Sequence, residues 1–369
     1  MSEHNRETAV SSLGEGSDRL FYRGHAVEDL AEFASFEEVA HLLLHGRLPD
    51  EVSLLAFRSR LASQRALPAS LRDLLERLPE DPGPFGVMDA LRTGVSFLGS
   101  LEPERDPADL ASAAERLIAR LPGMMVYRHR FQTEGRRIDT EVDDASIAGQ
   151  ILTMLKDEPP SDAHRSCLDA SLTLYADLAL NASTFACRIC ASTRADFASC
   201  VTAAIATLRG PWHGGASVAV SALLDRSRSE EEASRNVQEM LGRKERVPGF
   251  GHALYQADPR SPILKRWARR LAEEAGTLEP FRIAETVEEV VKSQKGIAPN
   301  VDFYTAVCYR RMGVPLALFT PLFACARVAG WAAHVAEQRG SNAIIHPRAD
   351  DVGPAPRPFI PISERAPTA

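Results

Sequence analysis

Residues 35–46 read SFEEVAHLLLHG, and this stretch carries both a start signal and a stop signal for a helix. Ser35 followed three residues later by Glu38 is the capping-box pattern, in which each side chain accepts a hydrogen bond from the other residue's backbone N–H. Apolar residues then recur at spacings of three and four, the period of one face of an α-helix. Gly46 follows them, where a left-handed C-cap is favoured. The stretch therefore predicts an amphipathic helix that ends at Gly46.

The same signals recur along the chain and predict an all-α fold. They appear in SEEEASRNVQEMLG (229–242), with Ser229 and Glu232, and in SPILKRWARRLAEEAG (261–276), with Ser261 as N-cap, Pro262 at the first helical position and Gly276 after the end. Apolar periodicity predicts further helices near 51–64, 106–121, 144–156, 165–178, 184–208, 279–294, 301–312 and 320–338. The only strands that the sequence favours are short ones around Leu20 to Arg23.

The composition is that of an ordinary globular protein. Of the 369 residues, 44% are hydrophobic and 25% are charged, and the formal net charge of −7 gives no electrostatic support for nucleic-acid binding. The polar N-terminus MSEHNRETAV lacks the apolar region of a signal peptide, and no run reaches the length of a membrane span. We therefore expect a cytoplasmic protein with no membrane span, in which the sequon that begins at Asn181 carries no glycan.

The six cysteines predict neither a disulfide framework nor a metal centre, because they lie in apolar helical segments. Cys187 and Cys190 form one CxxC without a second pair, which favours core packing over zinc or redox chemistry. The histidines do not fall at paired ligand spacings, and no glycine-rich nucleotide-binding motif follows a strand. We expect no metal and no permanently bound cofactor.

Two segments rich in glycine and proline interrupt the helical pattern, LRGPWHGGA (208–216) and KERVPGFGHALYQADPR (244–260). They contain His213 and His252 respectively, in positions where glycine lets the backbone approach a ligand closely. Asp302, in GIAPNVDFYTA, enters an apolar helix, and partial desolvation of such a carboxylate raises its pKa and its strength as a base. From the residues alone, the three are either an acid–base set or unrelated loop positions.

An acid–base set of this composition suits one kind of reaction. The carboxylate would remove a proton from a carbon next to a carbonyl group, and the enol so formed would attack a second carbonyl carbon. The two neutral imidazoles would donate hydrogen bonds to oxygens that become negative in the transition state. Each group positioned in this way contributes on the order of 10²–10⁴-fold to the rate.

Several segments, taken in order, resemble the citrate synthase family, which includes the 2-methylcitrate synthases. They are LFYRGHAVEDLAEFASFEEVAHLLLHGRLP, MDALRTGVS, NASTFACRICAST, GPWHGGA, VPGFGHALY, DPR, APNVDFY and LFTPLFACARVAGWAAHVAEQ, and together they span roughly residues 19–355. The resemblance implies an all-α homodimer whose C-terminal arm completes the neighbouring site. Its large dimerisation domain would comprise residues 1–214 and 314–369, and its small, mobile, CoA-binding domain residues 215–313, with the active site in the cleft that closes between them.

The resemblance also implies individual roles. Asp302 would take the α-proton of an acyl-CoA, His213 would stabilise the enol oxygen, and His252 would protonate the ketone oxygen of a 2-oxo acid. Arg260 and Arg327 match arginines that clamp substrate carboxylates, a task suited to a planar guanidinium. Hydrolysis of the new thioester would release CoA. The other matching positions are Asn181 and His346 for the 2-oxo acid, and Val247, Gly249, Phe250, Ala253, Lys295 and Asn300 for CoA.

The chain departs from the family where oxaloacetate would be expected to bind. Leu178 and Ala179 replace a His-Glu pair, and His346 replaces an arginine. Gln256 stands where a basic residue is usual, and the spacing from the second histidine to the DPR arginine is one residue shorter. Loss of two donors to a dicarboxylate costs several kcal/mol of binding if nothing replaces them. We therefore expect another 2-oxo acid, with an apolar or smaller side chain.

Three functions remain open from the sequence. The first is an acyltransferase that condenses acetyl-CoA or propionyl-CoA with a non-standard 2-oxo acid. The second is citrate or 2-methylcitrate synthesis proper, and the third is a regulatory homologue that binds CoA without turnover. The presence of His213, His252 and Asp302 together favours an enzyme, since drift after a loss of turnover would not favour keeping all three.

Overall fold

The computed structural model describes residues 7–14, 19–80 and 83–365, and this part of the chain folds almost entirely into helices, which confirms the predicted all-α class. The helices are α1 (Val27–Phe33), α2 (Phe36–His45), α3 (Glu51–Ala62), α4 (Ala69–Arg77), α5 (Gly86–Leu101), α6 (Leu110–Glu134), α7 (Ile147–Lys156), α8 (Asp162–Tyr175), α9 (Ala182–Ser192), α10 (Phe197–Leu208), α11 (Ala216–Asp225), α12 (Glu230–Gly242), α13 (Ser261–Glu274), α14 (Glu279–Lys295), α15 (Val301–Arg311) and α16 (Phe319–Ser341). The predicted domain boundaries at 214/215 and 313/314 stay a prediction.

A small antiparallel sheet near the N-terminus holds the end of α8. Its strands, in the order β1-β2-β3, are β1 (Ser11–Leu13), β2 (Leu20–Tyr22) and β3 (His25–Ala26), and β2 lies where the sequence predicted a strand. Tyr22 is buried, and its hydroxyl donates to the carbonyl oxygen of Asp177 at 2.8 Å. The sheet therefore anchors the segment that connects α8 to α9.

The helix caps follow the sequence signals with two differences. Both hydrogen bonds of the capping box between Ser35 and Glu38 are present, and Gly46 ends α2 with a left-handed φ of 77°. At α12 only one of the pair forms, because the Glu232 carboxylate accepts from the backbone of Arg228 instead. Helix α13 begins one residue earlier than predicted, with Arg260 at its N-cap and Ser261 already inside the helix.

Two predicted helix boundaries were wrong for identifiable reasons. The segment predicted as one helix over 184–208 is divided into α9 and α10 by a turn with Arg194 at a φ of 61°, and Asp196 caps the second helix by accepting from the backbone of Ser199. Helix α6 continues through Pro122 to Glu134, because burial of the apolar residues after the proline outweighs the lost hydrogen bond. Helices α1, α4, α5 and α11 lie outside the predicted helical segments.

Helix α16 crosses the core and packs against α2, α5, α6, α8, α9, α10 and α11. It is long and apolar enough to span a membrane by length and composition, but 83% of its apolar window is buried inside the protein. Burial of this kind is expected for a core helix of a globular protein. The cytoplasmic location stays a prediction. The position of α16 brings Trp331 and Arg327 into the molecular interior.

Candidate active site

A cavity of about 870 Å³ brings together most of the side chains singled out in the sequence. It lies where the ends of α8, α10 and α14 meet the starts of α9, α11 and α15, beside α16. The predicted residues that line it are His213, His252, Asp302, Asn181, Arg260, Arg327, Val247, Phe250, Ala253, Lys295 and Asn300. Gly249 and His346 are the two predicted residues that do not line it.

Asp302 occupies the first turn of α15 and reaches the cavity. The Tyr175 hydroxyl donates to its Oδ1 at 2.7 Å, while the backbone N–H of Asp302 donates to the Asn300 cap at 3.1 Å. Burial raises the pKa of the Asp302 carboxyl, and the hydrogen bond from Tyr175 acts in the opposite direction. The result is a carboxylate more basic than an exposed aspartate.

Asn300 and Gly249 build the turn that positions α15. The Asn300 amide donates to the carbonyl oxygen of Gly251 at 2.9 Å, and its backbone N–H donates to that of Gly249 at 2.8 Å. Gly249 has a φ of +80°, and a Cβ there would lie 2.6 Å from Val220. Only glycine fits this close approach, so its role in this structure is to shape the backbone beside the cavity.

His213 is held against Ser183, with 2.9 Å between its Nε2 and the Ser183 hydroxyl oxygen. Burial lowers the pKa of His213 to about 4, and the nearby Arg327 guanidinium acts in the same direction, so the ring is neutral at pH 7. The Ser183 proton has two acceptors within reach, His213 Nε2 and Asn181 Oδ1 at 2.9 Å. When it goes to His213, the other ring nitrogen carries a proton that can be donated to a ligand.

His252 is fixed in one neutral tautomer by the backbone. Its Nδ1 accepts a hydrogen bond from the Leu254 N–H at 3.1 Å, which leaves the proton on Nε2. Burial lowers the pKa of His252, and the neighbouring Arg260 lowers it further. His252 is therefore a neutral donor, suited to a ligand oxygen that gains negative charge.

Arg327 places a guanidinium at the cavity that forms no salt bridge with any described residue, although the buried Asp177 carboxylate favours its charge from a distance. The side chain is fully buried, and its Nε donates to the carbonyl oxygen of Tyr175 at 2.7 Å. Its Nη1 and Nη2 have no hydrogen-bond partner among the described residues. A buried, unpaired guanidinium is costly unless an anion joins it, and a carboxylate can accept from both of these nitrogens at once.

Arg260, by contrast, already has a partner. Its Nε and Nη2 donate to the two oxygens of Asp258 at 2.9 and 2.8 Å, and both residues are buried. Burial opposes the ionisation of Asp258, but Arg260 holds the pKa of that carboxyl below its usual value. Asp258 also accepts from the backbone N–H of Val301 at 3.0 Å. The charge of Arg260 is thus balanced within the protein.

Leu178 forms an apolar wall of the cavity and is 7% exposed. The following residue, Ala179, has a left-handed φ of 41°, and its N–H donates to the Ser11 hydroxyl at 2.8 Å. Most hydrogen bonds of the Asn181 side chain are local. Its oxygen accepts from the backbone N–H of Thr184 and so caps α9, and its amide donates to the Leu178 carbonyl oxygen at 3.0 Å. The turn thus presents both Leu178 and Asn181 to the cavity, and the predicted contact of Asn181 with a substrate stays a prediction.

A family model described as the citrate synthase C-terminal domain matches residues 4–348 of this chain. The chain belongs to the citrate synthase family. It is 46% identical to a 2-methylcitrate synthase of Shewanella oneidensis, over 97% of this chain and 95% of that protein. It is 40% identical to a citrate synthase of Haloferax volcanii, over 97% of this chain and 96% of that protein. The relatives identify the chain as an enzyme of the citrate synthase type, an acyltransferase.

Solved structures of citrate synthases share the fold over nearly the whole length. The Thermotoga maritima enzyme has a TM-score of 0.85 at 36% identity, covering 98% of this chain and 96% of its own. The Thermoplasma acidophilum enzyme, solved as a ternary complex with carboxymethyl coenzyme A and oxaloacetate, has a TM-score of 0.88 at 30% identity, covering 97% and 96%. The predicted citrate synthase-like architecture is therefore confirmed.

The remaining predicted residues are Lys295 and His346, and both are exposed. Lys295 lines the cavity, as does the exposed Arg246. His346 is exposed on the C-terminal arm, outside the cavity of its own chain. Its predicted contact with a neighbouring subunit stays a prediction. No group of His, Cys, Asp or Glu that could hold a metal occurs in the described ranges.

Sequence reasoning missed four side chains that shape the site: Tyr175, Ser183, Asp258 and Phe323. Asp258 and Ser183 stood within the DPR and NAST motifs, where a charged or hydroxyl side chain next to a functional residue was a usable signal. Tyr175 and Phe323 gave no signal, because each reads as one more aromatic residue in a buried helix. Phe323 meets Tyr175 at a ring-centroid distance of 4.6 Å in the cavity wall.

Proposed function

We propose that the protein condenses an acyl-CoA, acetyl-CoA or propionyl-CoA, with a 2-oxo acid and then hydrolyses the thioester to release CoA. The observation that carries this proposal is the unpaired, buried guanidinium of Arg327 in the same cavity as Asp302 and the two neutral histidines. Such a condensation requires a group that binds the substrate carboxylate, a carboxylate basic enough to remove a proton, and two neutral hydrogen-bond donors.

In this proposal each group has one role. Asp302 takes a proton from the α-carbon of the acyl group, and His213 donates a hydrogen bond to the enol oxygen that forms. The α-carbon then attacks the ketone carbon of the 2-oxo acid, and His252 gives its Nε2 proton to the oxygen as the carbon–carbon bond forms. Water cleaves the resulting thioester into a hydroxy acid and free CoA. Arg327 holds the carboxylate next to the ketone throughout.

We further propose that the preferred acceptor is a 2-oxo acid without a second carboxylate. Arg327 matches the one carboxylate that every 2-oxo acid carries, whereas Arg260 is neutralised by Asp258. Leu178 offers only apolar surface to the rest of the acceptor. A second carboxylate would lose its hydration without gaining a partner, which is unfavourable.

A second candidate is 2-methylcitrate or citrate synthesis with oxaloacetate as acceptor. The names of the relatives support it, and 46% identity to a 2-methylcitrate synthase supports propionyl-CoA as the acyl donor. This function would require another hydrogen-bond donor for the second carboxylate. His346, carried into the cleft by a second copy of the chain, or Arg260 after a shift of Asp258, would have to supply it.

We propose a homodimer in which the C-terminal arm lies on the partner. The arm after α16 is extended and carries the strongly exposed apolar side chains of Val352, Phe359 and Ile362, at 96%, 82% and 81% exposure. Apolar side chains exposed to this extent mark an interaction surface. Light scattering of the full chain, compared with a chain that ends at residue 342, tests the proposal through the molar mass.

A substrate panel tests the reaction and the acceptor together. Free thiol is measured from acetyl-CoA and propionyl-CoA with oxaloacetate, pyruvate and 2-oxo acids with longer apolar side chains. We expect turnover that Asp302→Asn abolishes, with higher kcat/KM for uncharged side chains. Efficient turnover with oxaloacetate alone would overturn the proposed acceptor and favour the second candidate. No turnover with any acceptor, but retained CoA binding, would point to the regulatory homologue.

A further inference from the structure

Among the described residues, Tyr175 alone forms a side-chain hydrogen bond with the Asp302 carboxylate. The phenol lies at the C-terminal end of α8, is 3% exposed and lines the cavity. Its oxygen is 2.7 Å from Asp302 Oδ1 and 3.1 Å from the Thr305 hydroxyl. No sequence motif marks this residue, and family membership does not by itself assign a role to it.

The direction of the hydrogen bond follows from counting protons. Tyr175 has one hydroxyl proton, and the Thr305 hydroxyl donates its own to the carbonyl oxygen of Val301 at 2.7 Å. The Tyr175 proton therefore goes to the nearer and negatively charged oxygen of Asp302. The other carboxylate oxygen, Oδ2, accepts no hydrogen bond from any described residue. One oxygen is fixed and the other is available to receive a proton.

We propose that Tyr175 is a positioning residue for the base: it clamps Oδ1 of Asp302 so that Oδ2 alone faces the α-carbon of the acyl group, and it sets the pH at which the base becomes active. The inference rests on the proposed function, since it takes Asp302 as the base. Removal of the hydroxyl frees the carboxylate to rotate and makes it harder to keep ionised.

The surroundings leave Tyr175 as the adjustable neighbour of this carboxylate. Arg260 and Arg327 favour the ionised form of Asp302, and Asp258 opposes it. The charges of Arg260 and Asp258 are fixed because the two form a buried ion pair, and Arg327 would be held by the substrate carboxylate. The other titratable groups on the cavity are the neutral His213 and His252 and the exposed Lys295, Arg246 and Glu245. Burial raises the pKa of Tyr175 well above its usual value, so the phenol keeps its proton across the working range.

The chain contains a matched control for the loss of a buried tyrosine hydroxyl. Tyr309 lies on α15, the helix of Asp302, and its hydroxyl is 2.9 Å from that of Ser171 on α8, the helix of Tyr175. Both tyrosines thus link the same two helices through a buried hydroxyl. Only Tyr175 touches the carboxylate, so a merely structural role predicts equal effects of Tyr175→Phe and Tyr309→Phe.

The test compares pH profiles of kcat/KM for the acyl-CoA in the wild-type enzyme, Tyr175→Phe and Tyr309→Phe. Phenylalanine keeps the ring packing and removes the donor, so we expect the acid limb of Tyr175→Phe to move to higher pH by about one unit or more. We also expect kcat to fall on the order of tenfold or more as the carboxylate loses its orientation. Tyr309→Phe should leave the acid limb in place. An unmoved limb in Tyr175→Phe, or equal changes in both variants, would overturn the proposal.

Two further measurements keep this test independent of folding and of the proposed function. If Tyr175→Phe does not fold, 3-fluorotyrosine at position 175 supplies a stronger donor of nearly the same shape, and the acid limb should move to lower pH instead. Exchange of the acyl-CoA α-protons with deuterium from heavy water measures proton removal by the base in the absence of any 2-oxo acid. If Asp302→Asn retains turnover and exchange, the assignment of the base fails. If it abolishes both while the limb of Tyr175→Phe is unmoved, only the role of Tyr175 fails.

Discussion

Arg260 donates two hydrogen bonds, of 2.9 and 2.8 Å, to the two carboxylate oxygens of Asp258; both residues are buried, and one residue separates them in the chain. A buried ion pair of this geometry stays together unless both charges find other partners. The two arginines of the site therefore differ: Arg260 is neutralised by Asp258, whereas Arg327 has no salt-bridge partner among the described residues.

Arg327→Met should separate stability from function. The variant removes a buried cation that has no salt-bridge partner among the described residues, so we expect the free energy of unfolding without substrate to stay level or to rise by about 1–3 kcal/mol. The kcat/KM for the 2-oxo acid should fall by about 10²-fold or more, because the carboxylate loses a bidentate charged partner. Urea unfolding and steady-state kinetics measure the two effects. A clear loss of stability would show that Arg327 is paired in the free protein.

Asp258→Asn should have the opposite effect on stability. It leaves the buried Arg260 without a counter-ion, and the free energy of unfolding should fall by about 3–5 kcal/mol. The matched control is Asp225→Asn, which breaks the pair with Arg310 at a site where the Asp225 side chain is 58% exposed. A pair this exposed contributes about 0–1 kcal/mol. Equal urea midpoints for the two variants would contradict the buried character of the first pair.

Leu178→His tests which feature selects the acceptor. An imidazole at this wall adds a donor where the wild-type cavity is apolar, so the ratio of kcat/KM for oxaloacetate to that for an apolar 2-oxo acid should rise by about tenfold or more. The thiol-release assay, run separately with each acceptor, measures this ratio. A ratio that does not change would mean that Leu178 contributes packing alone and that the acceptor is selected elsewhere in the cleft.

His213 should make the protein less stable in acid. Its pKa is lowered to about 4 by burial, whereas in the unfolded chain it lies near the usual 6.5. Between these two pH values the unfolded state binds one more proton than the folded state. The unfolding free energy is therefore unaffected by the protonation of His213 above pH 6.5 and falls by up to about 3 kcal/mol as the pH drops towards 4. His213→Gln should reduce the fall in unfolding free energy between pH 6.5 and 4.5. An equally steep fall in the variant would show that other groups cause it.

The local patterns predicted the helical class well, because capping residues and apolar periodicity act within a few residues of each other. The box at Ser35 and Glu38 formed as expected. The errors occurred where long-range packing outweighs a local signal. Pro122 sits inside α6 because the flanking side chains are buried, and the adjacent residues do not show this. The turn at Arg194 differs, because the mostly polar residues from Ser192 to Asp196 marked it locally and the apolar periodicity on either side concealed it.

The sequence by itself determined the order of the motifs, and with it the family, the fold and the set of candidate residues around His213, His252 and Asp302. Only the tertiary structure decided what each charge does. Arg260 and Arg327 are both arginines in family motifs, yet Arg260 forms an ion pair with Asp258, whereas the two Nη atoms of Arg327 have no hydrogen-bond partner among the described residues. Tyr175 contacts Asp302 although the two residues are 127 positions apart in the sequence. The physical reason is that the pKa of a group, and the freedom of its donors, depend on burial and on neighbours that folding brings from distant parts of the chain.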